Sequence, residues 1–167
     1  MENWYVVFTK PRQESIAEEN LKRQAFRIYL PWIRQAKRRR GKRQWVIEPL
    51  FPRYLFVRLD LGRDNSSPIR SSRGVVGLIR FGERLPAVPD PFIEALMKTA
   101  DRQTGIHRLQ EGLFKEGDAV TILEGPLAGW RGIFKATKGE KRVVILLEML
   151  GGSTCTLDRG WIGRENE

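Results

Sequence analysis

The fold is decided by the stretch YLFVRL at residues 54–59, which is rich in β-branched and aromatic side chains. Such a composition predicts a buried β-strand. Because side chains alternate between the two faces of a strand, Tyr54 and Phe56 are expected to share one face. Residues 4–9, WYVVFT, have the same character and predict a second strand.

Helices and further strands are predicted on both sides of this segment. Apolar residues recur at helical spacing after Pro11 and again after the Asp90-Pro91 pair, where Asp90 is expected to cap the helix, so two amphipathic helices are expected. A short helix is expected to open with a Ser67 cap and Pro68. Additional strands are predicted at residues 26–33, 44–47 and 75–81. This order favours an α+β sandwich, in which helices pack on an antiparallel sheet.

The last third of the chain has a different pattern. Residues 103–112 show no periodicity, so we interpret them as a linker between a first domain at 1–102 and a second at 113–167. The second domain predicts a small β-barrel, because short strand candidates alternate with turns such as Lys138-Gly139. These candidates are 119–123, 133–136, 142–147, 154–157 and 161–162. Residues 146–150 would also tolerate a helix.

Charge separates the two predicted domains. Residues 1–110 hold 22 Lys/Arg and 11 Asp/Glu, a net +11, whereas residues 111–167 hold 8 and 9, a net −1, which together make the +10 of the chain. The run RQAKRRRGKR at 34–43 is predicted to lie on a hairpin. It is interpreted either as a solvated tip kept soluble by its charge or, as we favour, as a contact for nucleic acid or an acidic protein.

Composition excludes several classes of function. With one Cys (Cys155) and one His (His107), the chain can form neither an internal disulfide nor a Cys/His zinc site. His107 falls in the predicted linker, so we expect a solvated side chain. No catalytic motif is recognisable. No stretch approaches the roughly 18–20 apolar residues of a membrane helix, and no secretory signal opens the chain. We therefore expect a soluble, cytoplasmic, non-enzymatic protein without a cofactor or metal.

Four segments at a characteristic spacing carry a family resemblance. They are residues 4–7, 48–57, 73–75 with 80–82, and the glycine-spaced 117–132, which looks like a KOW motif. Over nearly its whole length the chain resembles the NusG family of transcription elongation factors. Residues 40–43, placed before 48–50, make it look more like the specialised RfaH-type paralogues.

The resemblance implies an N-terminal domain that grips the clamp helices of the RNA polymerase β′ subunit through an apolar depression. The candidate polymerase-binding residues are Phe51, Tyr54, Phe56, Phe81, Ile93 and Leu96. Each could instead be core, but for Tyr54 and Phe56 we favour an exposed partner surface.

RfaH-type factors also bind the exposed non-template DNA strand. The candidate DNA-binding residues are Lys10, Arg12, Gln13, Arg70, Ser71, Ser72 and Arg73. Arginine and lysine neutralise phosphates, and arginine can also pair with or stack on a base. The alternative for Arg73 is an ordinary surface arginine beside a helix end; we favour the DNA contact.

The resemblance implies two alternatives for the second domain. It is a KOW barrel that recruits partners such as a small ribosomal subunit protein, or it is a helical hairpin docked on the polymerase-binding face. Glu48 and Arg142 match an ion pair that joins the domains of RfaH; we nevertheless favour the barrel.

The expected function is that of a monomeric elongation and antitermination factor, which reduces pausing and termination in selected operons. The alternative is a ribosomal or RNA-binding KOW protein, against which the −1 balance of residues 111–167 argues.

Overall fold

A four-stranded antiparallel sheet forms the centre of the part that the computed structural model describes, namely residues 1–108, 133 and 136–152. Its strands are β1 (Asn3–Thr9), β2 (Arg27–Tyr29), β5 (Tyr54–Leu59) and β6 (Val75–Leu78), arranged in the order β2-β5-β1-β6. β1 and β5 pair from Asn3 opposite Leu59 to Phe8 opposite Tyr54. The predicted strands at 4–9 and 54–59 are therefore confirmed, and they lie side by side.

Each face of this sheet packs into an apolar cluster of its own. In β5, Tyr54 and Phe56 belong to one cluster, whereas Leu55 and Val57 belong to the other. The second cluster contains residues of α1 (Glu14–Arg23) and α2 (Ser67–Ser71), and we call it the α1–α2 cluster. The first contains residues of α3 (Asp90–Thr99) and α4 (Gly139–Met149), and we call it the α3–α4 cluster.

α2 and α3 begin close to the positions predicted from proline and polar residues, but neither has a side-chain cap. α3 starts at Asp90 with Pro91 in its first turn, and the Asp90 carboxylate accepts a hydrogen bond from Arg58 at 3.1 Å. In α2 the residue before the helix is Ser66, and the Ser67 hydroxyl donates to Asn65 at 2.7 Å. The predicted capping roles of Ser67 and Asp90 are therefore wrong, although the helices are present.

A second sheet is built on a β-hairpin. β3 (Trp32–Arg39) and β4 (Lys42–Pro49) are joined by Arg40 and Gly41, whose φ angles are 54° and 75°. Two successive positive φ values suit the tight turn whose twist matches a hairpin. β7 (Ile106–Arg108) pairs with β3 in parallel, giving the order β4-β3-β7. The basic run thus extends along both strands, beyond the hairpin tip.

β7 corrects the predicted linker and the predicted state of His107. Residues 106–108 are a strand inside the segment assigned to the linker, and His107 is buried. Its ring lies between two backbone carbonyls, of Leu96 and Trp32. Sequence periodicity missed this strand because three residues are too short to show an alternating pattern.

α4 corrects the predicted strand at 142–147. Val143, Leu146, Leu147 and Leu150 are buried, which is the i, i+3, i+4, i+7 spacing of a helix packed on one face. Tertiary packing therefore outweighs the β-preference of the adjacent Val143, Val144 and Ile145. Lys138-Gly139, predicted to be a turn, is instead where α4 begins.

The predicted barrel as a whole is not confirmed. Its strand candidates at 119–123, 154–157 and 161–162 lie outside the described residues, as do residues 134 and 135 of the candidate at 133–136. Within the described ranges, no helix has the length and apolar character needed to cross a membrane.

Candidate functional site

Five of the six candidate polymerase-binding residues are buried. Phe51, Tyr54, Phe56, Ile93 and Leu96 belong to the α3–α4 cluster, and Phe81 is half-buried against it. The expectation that Tyr54 and Phe56 form an exposed surface is wrong for this structure. The physical reason is that α3 and α4 pack against this face of the sheet and remove the rings from water.

Aromatic rings give this cluster its centre. Phe56 contacts three other rings, with centroid distances of 5.8 Å to Phe51, 6.3 Å to Phe92 and 6.2 Å to Tyr29. The Tyr54 ring lies 5.1 Å from that of Phe8. The pairs with Phe51 and Phe92 are edge-to-face, an arrangement that aromatic quadrupoles favour. The rings therefore form one continuous apolar surface on this side of the sheet.

α4 packs closely against that surface at both of its ends. A Cβ atom added to Gly139 would overlap the Pro52 ring, so only glycine permits this approach. Just after the helix, a Cβ atom on Gly152 would lie 2.9 Å from Cζ of Phe81. Arg84 also donates to the Leu150 carbonyl at 3.4 Å. The helix thus extends from the end of β4 to the segment that follows β6.

A buried arginine joins α4 to the hairpin. Arg142 donates from Nε to the Leu50 carbonyl at 2.7 Å, and from its terminal nitrogens to the Ala136 carbonyl at 2.8 Å and to Glu48 Oε1 at 3.1 Å. Gln35 donates to the same Glu48 oxygen at 2.7 Å and to the Thr137 carbonyl at 2.9 Å. We call these groups the Arg142 network.

The Arg142 network holds a charge in a place that disfavours charge. Arg142 is fully buried, and burial lowers the pKa of its guanidinium, an effect that the hydrogen bond and charge of Glu48 oppose. Glu48 also pairs with Lys37 at 2.8 Å. A buried cation of this kind is tolerated only while its carboxylate and carbonyl partners stay in place. The docked position of α4 therefore depends on Glu48.

The structure brings Glu48 and Arg142 into contact, and it adds partners that the sequence did not indicate. Gln35 and the carbonyls of Leu50 and Ala136 complete the network. A backbone carbonyl carries no sequence signal, so these partners could not be found by motif. The position of Gln35 in a strand that is otherwise strongly basic is the one available hint.

The two segments of candidate DNA-binding residues lie next to each other. The amide of Lys10 donates to the Gly74 carbonyl at 2.8 Å, which places residues 10–13 beside residues 70–73. Gly74 has a φ of 86°, and a Cβ atom there would lie 2.9 Å from the amide nitrogen of Ala17 in α1. Glycine is therefore required for this close approach.

Most of these side chains are presented to solvent, and one is not. Lys10, Arg12, Arg70, Ser71 and Arg73 are exposed, and Gln13 is half-buried; we call this set the candidate DNA surface. Ser72 is buried, and its hydroxyl accepts from Gln24 at 2.7 Å and donates to the Pro68 carbonyl at 2.7 Å. In this structure Ser72 supports the end of α2 and has no hydroxyl group available for DNA.

A cleft of about 450 Å³ separates the candidate DNA surface from the Arg142 network. Basic and acidic side chains both line it, among them Arg12, Lys37 and Lys138 with Glu14 and Glu140. Mixed charge of this kind does not select an anionic small molecule. In the portion of the chain that the structure describes, no cluster of three His, Cys, Asp or Glu residues could hold a metal ion.

Comparison with known proteins gives a consistent result. The family model described as "Transcription termination factor nusG" matches residues 2–97. The transcription termination/antitermination protein NusG of Thermus thermophilus is 28% identical over 169 residues, covering 90% of this chain and 91% of the relative. The Bacillus subtilis protein of the same description is 24% identical over 163 residues, covering 91% and 92%.

A solved structure, "Domain interaction in Thermotoga maritima NusG", aligns at a TM-score of 0.40 and 19% identity over 71% of this chain and 70% of that one. The family match, by contrast, spans more than half of the sequence and contains the whole central sheet. The chain therefore belongs to the NusG family of transcription termination and antitermination factors.

Proposed function

We propose that this protein is an RfaH-type elongation and antitermination factor that binds the β′ clamp helices of RNA polymerase through the sheet side of the α3–α4 cluster. The single observation that supports this is an aromatic surface that α4 covers. α4 comes from the distal part of the chain, and the buried charge of Arg142 depends on one carboxylate, Glu48. A helix held in this way can undock from the sheet as a whole.

Binding to polymerase would replace α4 on the sheet by the clamp helices. While α4 is docked, Val143, Leu146 and Leu147 shield the sheet from water. Burying each such side chain is worth about 1.5–3 kcal/mol, so the exposed surface would be unfavourable without a replacement. Apolar polymerase helices can supply that replacement, and the two occupants compete for the same face.

The candidate DNA surface would hold the non-template strand beside the polymerase. Its exposed arginines and lysine suit phosphates, and Arg73 suits a base edge. Four to six phosphate contacts would give a log–log salt slope of roughly −3 to −4 for a single strand. Arg73→Ala is expected to weaken recruitment more at one DNA sequence than at others; a uniform loss would reduce Arg73 to a phosphate contact.

The distal part of the chain would have a second role once released. The KOW-like segment at 117–132 supports recruitment of a small ribosomal subunit protein, which would couple transcription to translation in the cytoplasm.

The test is pausing by purified bacterial RNA polymerase with and without the protein. We expect shorter pauses with wild type, and a larger effect with Glu48→Gln, which destabilises the docked α4. Phe81→Ser should reduce the effect, because Phe81 is half-buried at the margin of the surface and can change without loss of the core. Tyr54→Ala and Phe56→Ala are unsuitable, since both rings are core. Unchanged pausing with wild type and Glu48→Gln alike would refute the proposal.

A further inference from the structure

The outward face of the β3–β4 hairpin presents an aromatic ring among cations. Register places Arg34 opposite Ile47, Ala36 opposite Trp45 and Arg38 opposite Arg43, so these six residues share one face. Trp45 is 62% exposed and Ile47 is 56% exposed. We call this face the hairpin platform. The Arg142 network uses Gln35 and Glu48, which lie on the opposite face.

The hairpin has a strong positive charge, most of which has no ion-pair partner among the described residues. Residues 34–47 contain seven Lys/Arg and no Asp or Glu. Lys37 pairs with Glu48, but the other six cations form no ion pair with any residue that the structure describes. They are Arg34, Arg38, Arg39, Arg40, Lys42 and Arg43. A concentration of unpaired cations attracts phosphates over a distance of about one Debye length.

Protection of a sheet edge explains the charges but not the apolar side chains. β4 is an edge strand of its sheet, and lysine or arginine on an edge discourages pairing with another chain. An exposed tryptophan and isoleucine on the same strand have the opposite effect. Large apolar side chains left in water next to each other indicate a binding surface.

Two arginines hold the indole ring in a defined environment. The guanidinium carbon of Arg34 lies 4.8 Å from the Trp45 ring centroid, and that of Arg43 lies 5.8 Å from it. Contacts of this kind are favourable cation–π interactions. The ring is therefore presented together with two groups that can bind phosphate, while the small Ala36 side chain opposite leaves room beside it.

We propose that the hairpin platform binds single-stranded nucleic acid, with an unpaired base stacked on Trp45 and the adjoining phosphates held by Arg34, Arg38 and Arg43. Base stacking on an aromatic ring within a basic strip is how proteins hold single strands without reading their sequence. The strip from Arg34 to Arg38 measures roughly 13 Å, at about 3.3 Å per strand residue, which suits about two nucleotides. This site is distinct from the candidate DNA surface, which lies just after β1 and at the end of α2, and it does not depend on the proposed function.

The test measures binding of the full-length chain to fluorescently labelled oligothymidylate by anisotropy. All variants carry Lys10→Ala and Arg73→Ala, so that the candidate DNA surface contributes little. Trp45→Ala is expected to weaken binding roughly 5- to 150-fold, the equivalent of losing one stacked base. Trp45→Phe, the matched control, should retain most of the affinity. Because Trp45 is exposed, thermal unfolding should be unchanged in both variants.

An abasic strand separates stacking from charge. It should bind the Lys10→Ala/Arg73→Ala protein equally well with and without Trp45→Ala, because it offers no base. Arg43→Gln should weaken binding to both kinds of strand and reduce the log–log salt slope by about 0.7, the value of one phosphate contact on a single strand. Arg63→Gln removes an exposed loop arginine outside the hairpin and should change neither quantity.

Several results would overturn the proposal. They are an equal loss on abasic and base-bearing strands with Trp45→Ala, tighter binding of blunt duplex than of single strand, or Trp45-dependent binding of an acidic peptide in place of nucleic acid. Oligouridylate and oligothymidylate both satisfy the proposed chemistry, so a preference between them identifies the source of the strand as transcript or displaced DNA. None of these measurements uses polymerase, so their outcome is independent of the pausing assay.

Discussion

His107 is the residue where burial and hydrogen bonding act in opposite directions. Its Nε2 lies 2.7 Å from the Leu96 carbonyl and its Nδ1 lies 3.2 Å from the Trp32 carbonyl. Both groups accept hydrogen bonds, and a neutral imidazole has only one N–H to donate. The hydrogen bonds favour the charged ring, but burial is the larger effect and lowers the pKa of His107 below its ordinary value of 6.5.

We predict that acidification destabilises the fold through His107. The unfolded chain gains a proton near pH 6.5, whereas the folded chain resists protonation until a lower pH. The contribution of neutral His107 to the free energy of unfolding is therefore fully present above roughly pH 7.5. It is lost as the pH falls through 6.5, at no more than about 1.4 kcal/mol per pH unit for one proton. Urea unfolding at stepped pH measures this slope. His107→Gln should flatten it, and a stability that rises on acidification would contradict the assignment.

For Tyr29 we predict a stabilising substitution, because burial of its hydroxyl group lowers the stability of the fold. Its hydroxyl is buried without a hydrogen-bond partner among the described residues, and burial raises the pKa of Tyr29 far above its ordinary value. Tyr29→Phe should keep the ring stacked 6.2 Å from Phe56 and raise the free energy of unfolding by up to about 1 kcal/mol. Tyr29→Ala, which also removes the ring, should destabilise the protein. Urea unfolding compares the two, and a loss with phenylalanine would mean that the hydroxyl has a partner.

Among the secondary-structure elements, those with an undisturbed local pattern could be predicted from the sequence. β1 and β5 are nearly continuous apolar runs, which suit strands buried on both faces, and α1 and α3 show a helical period. α4 shows a helical spacing at Val143, Leu146, Leu147 and Leu150, but three adjacent β-branched residues obscure it. Only contact with the sheet decides between the two patterns. The same contact buries Tyr54 and Phe56, so their exposure could not be predicted either.

We predict that Gly139→Ala loosens α4, although alanine is the better helix former. The added methyl group would overlap the Pro52 ring, so the helix could dock only after moving away from the sheet. Hydrogen exchange of the α4 amides should become faster. Glu140→Ala, at an exposed position in the same turn, is the matched control and should leave exchange unchanged. Unchanged exchange in Gly139→Ala would show that Pro52 can move at little cost.

On the scale of the whole molecule, the Arg142 network determines whether the distal helix stays docked. Glu48→Gln would leave the buried guanidinium without its counter-charge, and breaking a buried pair in this way costs about 3–5 kcal/mol. We predict fast hydrogen exchange throughout α4, with β1 and β5 still protected. Lys37→Gln removes the half-exposed partner of the same carboxylate and should have a much smaller effect. Simultaneous loss of protection in α4 and β1 would contradict this separation.

Burial on both faces of β5 has a consequence for how the protein can change shape. If α4 undocks, only one face of the strand loses its apolar contacts. On the other face Leu55 and Val57 remain packed in the cluster that contains residues of α1 and α2. The α1–α2 cluster on that side keeps the sheet folded, so the domain can expose an apolar surface without unfolding. In a protein with one core shared by both faces of the sheet, exposing the binding surface would also remove the core that keeps the domain folded. Here the two faces have separate cores, so exposure and unfolding are separate events.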